Sequence, residues 1–125
     1  MYPPIFVIAS ADAAVKALLG TGTANDPLRL YLFGEAPQKV VLPYAVWQTV
    51  GGAPENYLNM RPDADNFSVQ VDVYGKTPSS IRAVVKALND ALENKAYITR
   101  WGSESFDEKT THYRSNFDVE FITQR

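Results

Sequence analysis

The stretch FSVQVDVYGKTPSSIRAVVKALNDAL, residues 67–92, contains two periodicities that together decide the fold. In residues 67–75 apolar and polar side chains alternate, which predicts a β-strand with one buried face and one polar face. From residue 78 onwards, apolar side chains recur every three or four positions, which predicts an amphipathic helix. Thr77 is positioned to cap this helix, and Pro78 suits its first turn. A sheet covered by helix on one side is therefore expected.

Alternating patterns elsewhere in the chain predict four more strands. Their ranges are 28–33, 44–50, 96–102 and 112–123, and the last two form a hairpin across a polar turn. In the final strand Phe117, Val119 and Phe121 share one face, while the polar residues between them share the other. We therefore predict a mainly antiparallel sheet of about five strands with one polar face.

Apolar spacing near the amino terminus predicts a second helical region. It opens at Pro3 and Pro4, breaks around residues 9–12 and ends at Gly20. Two amphipathic helices are about enough to cover one face of such a sheet, so the predicted fold class is α+β with the helices packed on one face. At 125 residues, we expect a single domain spanning 1–125.

Composition argues against several classes of function. The chain has 12 basic and 14 acidic residues and a net charge of −2, without the clustered basic surface that holds DNA through its phosphates. Its densest basic pair, Arg82 and Lys86, is interpreted as the solvated face of a helix. The absence of cysteine excludes a disulfide and a thiolate metal site. We find no apolar run of membrane-spanning length and no basic secretory leader, so we expect no membrane partner.

The motifs typical of catalytic, phosphate-binding and calcium-binding sites occur in this sequence only in incomplete form. The single histidine, His112, has no marked nucleophile or orienting partner, and we interpret it as structural. GTGTAND at residues 20–26 lacks the ending of a phosphate-binding loop. DADN at residues 63–66 lacks the glycine and glutamate that complete a calcium loop. We therefore predict no catalytic residue, no metal site and no cofactor.

The order and spacing of several segments resemble a known protein family. These segments are APQ at 36–38, LPYAVWQ at 42–48, ENYL at 55–58 and VQVDVYG at 69–75, followed by the amphipathic helix and the closing pair of strands. Together, over roughly residues 3–123, they resemble the small tail completion or tail terminator proteins of long-tailed bacteriophages. These proteins are also described as head–tail joining proteins.

This resemblance implies a structural virion protein and no enzymatic activity. Similar proteins assemble as rings, commonly hexamers, at the head-proximal end of the tail tube. Such a ring stops growth of the tube and joins it to the head connector, and the genome passes through the central hole without sequence-specific binding. The implied partners are other copies of the chain, the tail tube protein and the head–tail connector protein, with assembly in the host cytoplasm.

The loop at residues 51–66 carries apolar side chains where a surface loop is usually polar. We predict that it packs on the adjacent subunit or on the tail tube, because interface anchors are enriched in Tyr, Met and Arg. The alternative is that the loop folds back onto its own sheet. The candidate interface residues are Tyr57, Leu58, Met60 and Arg61.

Acidic residues on the polar sheet face are candidates for lining the channel. They are Asp72, Asp118 and Glu120, and the alternative is that they face outer solvent. An acidic balance suits a channel, because a basic lumen would hold each phosphate of the moving DNA. Two other functions stay open: a connector-side adaptor or stopper, and a small-ligand-binding or enzymatic α+β domain that uses the polar face.

Overall fold

In the computed structural model, which describes residues 4–50 and 64–124, helices cover one face of a five-stranded sheet. The helices are α1 (Ile5–Ser10), α2 (Ala13–Leu19) and α3 (Pro78–Leu92). The strands are β1 (Leu30–Leu32), β2 (Tyr44–Thr49), β3 (Ala64–Gly75), β4 (Ala96–Asp107) and β5 (His112–Gln124). The predicted α+β class is confirmed. No helix of the described residues has the length and apolar content to cross a membrane.

The strands follow the order β1-β2-β3-β5-β4, with β3 at the centre. Three of the neighbouring pairs, β2–β3, β3–β5 and β5–β4, are antiparallel, which confirms the predicted mainly antiparallel sheet. The exception is β1, which runs parallel to β2 with Leu30 opposite Ala45. An alternating pattern cannot reveal this difference, because side chains alternate in both kinds of pair. The order leaves β1 and β4 as the two edges of the sheet.

The long pairing of β3 with β5 builds most of the sheet side of the core. Val69 lies opposite Val119, and Val71 lies opposite Phe117. These four side chains are fully buried, as the predicted faces require. Truncating a buried phenylalanine typically costs about 3–5 kcal/mol, so this layer accounts for a large share of the stability of a small domain.

Two strands are longer than their sequence patterns predict. β3 begins at Ala64 instead of residue 67, and β4 continues to Asp107 instead of ending at Gly102. The added part of β4 is SESFD at residues 103–107. Its residues are mostly small or acidic and have weak intrinsic strand propensity. It is a strand because it pairs with β5, where Glu104 faces Ser115 and Asp107 faces His112.

The helix α3 begins and packs as its sequence predicts. The Thr77 hydroxyl accepts a hydrogen bond from the Ser80 backbone N–H at 3.1 Å, and Pro78 occupies the first turn. Gly75 ends β3, and a Cβ atom there would lie 2.9 Å from Ile81 Cγ2, so the absence of a side chain lets α3 pack closely on the strand end. The buried side chains are Ile81, Val84, Ala87, Leu88 and Leu92.

The amino-terminal helix breaks where the sequence predicts, between Ser10 and Ala13. Asp12 caps the second part by accepting a hydrogen bond from the Val15 backbone N–H at 3.0 Å. Gly20 ends α2 with a φ of +121°, a conformation that side chains rarely adopt. The break allows the chain to turn, so that both short helices pack against α3 and bury Ile5, Ala9, Val15 and Leu19 in the core.

Arg29 fixes the end of α2 to the beginning of β2. Its guanidinium donates to the Leu18 carbonyl at 3.1 Å and to the Pro43 carbonyl at 2.9 Å. A cation beside the last carbonyls of a helix is favourable for the helix dipole as well as for hydrogen bonding. The sequence patterns did not indicate this contact, because its partners are far apart along the chain.

Candidate functional site

The sheet face that points away from the helices, called the polar face below, brings the predicted acidic residues together. In the β3–β5 register, Asp72 lies opposite Asn116, Gln70 opposite Asp118 and Ser68 opposite Glu120. The candidates Asp72, Asp118 and Glu120 therefore lie on the same side of two adjacent strands. This placement follows from the period-2 alternation that buries their neighbours.

Asp72 is the buried member of the three. Its side chain is 9% exposed, and its Oδ1 accepts hydrogen bonds from Arg114 Nη2 at 3.2 Å and from Gln70 Nε2 at 3.3 Å. A buried carboxylate is tolerated when a paired cation and further hydrogen bonds replace the lost water. Asp72 therefore acts first as the anchor that positions the half-exposed Arg114 guanidinium over the sheet.

Asp118 and Glu120 also have partners, and both partners come from the edge strand β4. Arg100 donates from Nε to Asp118 Oδ2 at 3.0 Å and from Nη2 to Asp118 Oδ1 at 3.2 Å. The Tyr97 hydroxyl donates to Glu120 at 2.8 Å, and this hydrogen bond raises the pKa of the Tyr97 phenol. Because a phenol is neutral, this contact does not compensate the negative charge of Glu120.

The central charges of the polar face nearly cancel. The three carboxylates and the two guanidinium groups of Arg100 and Arg114 give 2 − 3 = −1. The surface therefore holds ordered hydrogen-bonded pairs and a slight negative excess. The described residues of this surface do not offer phosphates the row of free cations that tight nucleic-acid binding requires.

The basic pair on α3 is neutralised in the same way. Arg82 donates from Nε and Nη2 to the two Glu104 oxygens, both at 2.8 Å, and Lys86 lies 2.7 Å from Asp90. The hydrogen bonds from Arg82 hold the pKa of the Glu104 carboxyl below its usual value. These exposed pairs agree with the interpretation of a solvated helix face and contribute little to stability.

A column of tyrosines crosses the polar face beside Arg114. Tyr44 stacks on Tyr74 with ring centroids 4.9 Å apart, and Tyr31 meets Tyr44 edge-on at 6.4 Å. The Arg114 guanidinium lies 5.9 Å from the centre of the Tyr74 ring, within the range of a cation–π contact. These rings are part of the sheet surface, as their position in predicted strands indicated.

His112 lies in an open cleft of about 400 Å³ at one end of the polar face. Tyr44, Tyr74, Asp107 and Arg114 also line this cleft. Within residues 4–50 and 64–124, the His112 side chain makes no hydrogen bond to a nucleophile or to an orienting carboxylate, which a catalytic base would need. The described part of the chain also contains no cluster of three or more residues that could hold a metal ion.

Both edges of the sheet expose large apolar side chains. On the β4 side, Trp101 is 64% exposed and borders a groove of about 640 Å³ between α3 and β4. On the β1 side, Phe33 is 65% exposed and Val41 is 68% exposed. Large exposed apolar side chains indicate an interaction surface when they form a contiguous patch, whereas single ones are common on any protein surface. The sequence patterns placed Trp101 in a strand but did not show that the strand is an edge.

A sequence profile of the family described as Tail completion protein gp17 matches residues 3–124. The chain belongs to this family. The resemblance found in the sequence is therefore confirmed, and this tail completion chain is a structural protein of the bacteriophage virion tail.

The tail completion chain also has the fold of a chain in a solved structure titled "Virion of native gene transfer agent (GTA) particle". The TM-score is 0.69 and the sequence identity 14%, over 97% of this chain and 92% of that chain. At this identity the likeness establishes the fold. Comparison with curated proteins gave no match.

The loop candidates of the tail completion chain cannot be placed in the fold. Tyr57, Leu58, Met60 and Arg61 lie outside the described residues, as does most of the 51–66 loop. Their proposed contacts with a neighbouring subunit or with the tail tube therefore stay a prediction.

The stacked tyrosines make the stability of the tail completion chain sensitive to alkaline pH. Burial, then the charge of Asp72, raises the pKa of Tyr74, and burial, then the neighbouring Tyr74, raises the pKa of Tyr44. The unfolded chain therefore loses these protons at a lower pH than the folded chain does. The stabilising contribution of the two neutral phenols is complete below pH 10.0, the pKa of a tyrosine in the unfolded chain. It is lost as the pH rises through the higher pKa values of the folded chain.

We predict that replacing both stacked tyrosines, Tyr44→Phe with Tyr74→Phe, weakens this alkaline loss of stability. The measurement is the free energy of unfolding in urea at a series of pH values from neutral to above 10.0, where the variant should give the shallower decline. Tyr113→Phe, a tyrosine of β5 outside this column, is the matched control. Equal declines for the double variant and the wild type would contradict the assignment.

Proposed function

We propose that this chain, acting as one domain, is the repeated subunit of a ring at the head-proximal end of the tail tube. The ring, a hexamer, ends growth of the tube and joins the tail to the head connector. Membership of the tail completion family, matched over residues 3–124, carries this proposal. The particle that contains a chain of the same fold is itself a virion, which supports it further.

The proposed subunit acts by shape and performs no chemical reaction. Its carboxylates and cations are used in structural pairs such as Asp118 with Arg100 and Glu104 with Arg82. His112 lies in an open cleft without an orienting partner among the described residues. These features support a non-enzymatic role over the alternative of a small-ligand-binding or enzymatic domain.

We place the polar face toward the passage through which the genome moves. Its slight negative excess would let DNA slide, because few cations are free to hold phosphates. Glu120 contributes most of the charge that DNA would meet, because its partner Tyr97 is neutral whereas Asp118 is paired with Arg100. Asp72 contributes less directly, since Arg114 lies over it and its side chain is 9% exposed.

The decisive experiment compares particles assembled with and without this protein by electron microscopy. Overlong tails, or tails without heads, are expected in its absence, and purified protein added to such tails should form a ring at one end. Tails of normal length that fail only to attach to heads would favour the connector-side adaptor role. Normal, infectious or transducing particles would contradict both roles.

A second prediction concerns the 51–66 loop. We expect Tyr57→Ala combined with Leu58→Ala to reduce ring formation and tail joining, because truncating an interface anchor typically costs about 2 kcal/mol or more of binding energy. The matched control is Asn56→Ala with Asn59→Ala, which shortens polar neighbours in the same loop. Ring assembly is measured by native mass spectrometry and tail joining by particle counts. Intact assembly with a lowered melting temperature would mean that the loop packs on its own subunit.

A third prediction concerns the charge of the passage. Asp118→Asn with Glu120→Gln changes the central charge of the polar face from −1 to +1, which should slow DNA release from the particle, most clearly at low salt. The matched control is Asp90→Asn with Glu93→Gln, the same change of charge on the opposite helical layer. Release is followed by the fluorescence of a DNA-binding dye. Equal release rates for the two double variants would contradict the placement of the polar face toward the passage.

A further inference from the structure

One edge of the sheet exposes a tryptophan, and the other edge carries an open, largely apolar pocket. At the β4 edge Trp101 is 64% exposed and borders the groove beside α3. At the β1 edge, between α1 and β1, lies a concave pocket of about 450 Å³. Its apolar walls include Phe6, Leu28, Leu30 and Leu32, and Glu35 also lines it.

The strand is irregular on both sides of the exposed Trp101. The β4–β5 register shifts on both sides of it, between Ile98 and Arg100 and again between Trp101 and Glu104. Such bulges bend an edge strand and redirect side chains. At the adjacent Gly102 any Cβ atom would overlap Asn116 Oδ1, so the backbone is held close to β5 beside the tryptophan. Within its own subunit the Trp101 ring meets Phe117 at a centroid distance of 6.4 Å and stays mostly uncovered.

The hydrogen-bonding groups of the two edges also match. The indole N–H of tryptophan is a donor, and it usually finds an acceptor when the ring is buried. The Glu35 carboxylate is an acceptor at the pocket, and its side chain has no hydrogen bond or ion pair within the described part of the chain. A tryptophan seated among these leucines would place an apolar ring on apolar walls with a carboxylate within reach of its N–H group.

We propose that Trp101 of one copy inserts into the β1-edge pocket of the next copy, so that one heterologous contact repeats around the ring. This inference rests on the proposed ring. Because the two surfaces lie at opposite ends of the strand order, each copy supplies one tryptophan and one pocket. Such a head-to-tail contact generates a closed ring when its rotation closes. A symmetric contact between two β4 edges would instead stop at a dimer and leave both pockets empty.

Cross-linking tests whether the β4 edge of one copy contacts the β1 edge of the next, and it leaves Trp101 in place. The chain contains no cysteine, so Ser103→Cys beside Trp101 and Phe33→Cys beside the pocket each give one reactive thiol. A short bis-maleimide is applied to free protein and to isolated tails. We expect no product from either single variant, a dimer from their mixture, and a ladder that ends at a closed ring from the double variant. Dimers from Ser103→Cys alone would indicate a symmetric contact and overturn the proposal.

Substitutions test the tryptophan and its acceptor. Trp101→Ala should weaken association about 30-fold or more, since a tryptophan anchor typically contributes at this level. Phe106→Ala, an exposed aromatic on the same strand, is the control and should leave association unchanged. Trp101→Phe and Glu35→Leu should each weaken association, and together should weaken it no more than one alone, because both remove the same hydrogen bond. Additive effects would mean that Glu35 does not accept the hydrogen bond from Trp101.

The outcomes separate this inference from the proposed function. If wild-type rings form, or tails require the protein, while the mixture gives no cross-link and Trp101→Ala assembles normally, the edge contact is wrong and the ring function stands. If neither free protein nor isolated tails contain rings and tails assemble normally without the protein, the proposed function fails together with the inference.

Discussion

The pairing of β3 with β5 is the interaction on which the rest of this structure depends. Ala64–Gly75 runs beside His112–Gln124 in an unshifted antiparallel register. That register places the apolar residues of both strands under α3 and the polar residues of both strands on the opposite surface. A slip by one residue would exchange the two faces, burying carboxylates and exposing valines, so the hydrophobic core itself holds the register.

The same register makes the polar face a set of fixed pairs. Arg114 reaches Asp72 because β3 and β5 are neighbours, and Arg100 reaches Asp118 because β4 follows β5 in the strand order. These contacts leave a nearly neutral surface with few free cations. In the ring proposed above, such a surface would let DNA pass close by without being held.

The edges of the sheet differ from the paired polar face, because among the described residues β1 and β4 each pair with a strand on one side only. Exposed edges invite pairing with other chains, and proteins commonly limit it with charges and bulges. β4 has both features, yet between its two bulges it exposes Trp101. An edge that is protected along most of its length and apolar at one point is suited to a specific contact. For the assembly proposed above, the specificity of these edges would matter more than any single reactive group.

Local sequence determined the elements, and only the tertiary structure decided their partners. The alternation in residues 67–75, the cap at Thr77 and the stop at Gly20 depend on neighbours in the chain, so they were predictable, as was the common face of Asp72, Asp118 and Glu120. Their place in a lumen, and the contacts of the 51–66 loop, stay predictions. The parallel β1, the extended β4, the cations that pair the carboxylates and the pocket opposite Trp101 depend on strand order. Strand order results from packing between residues far apart in sequence, which no local periodicity encodes.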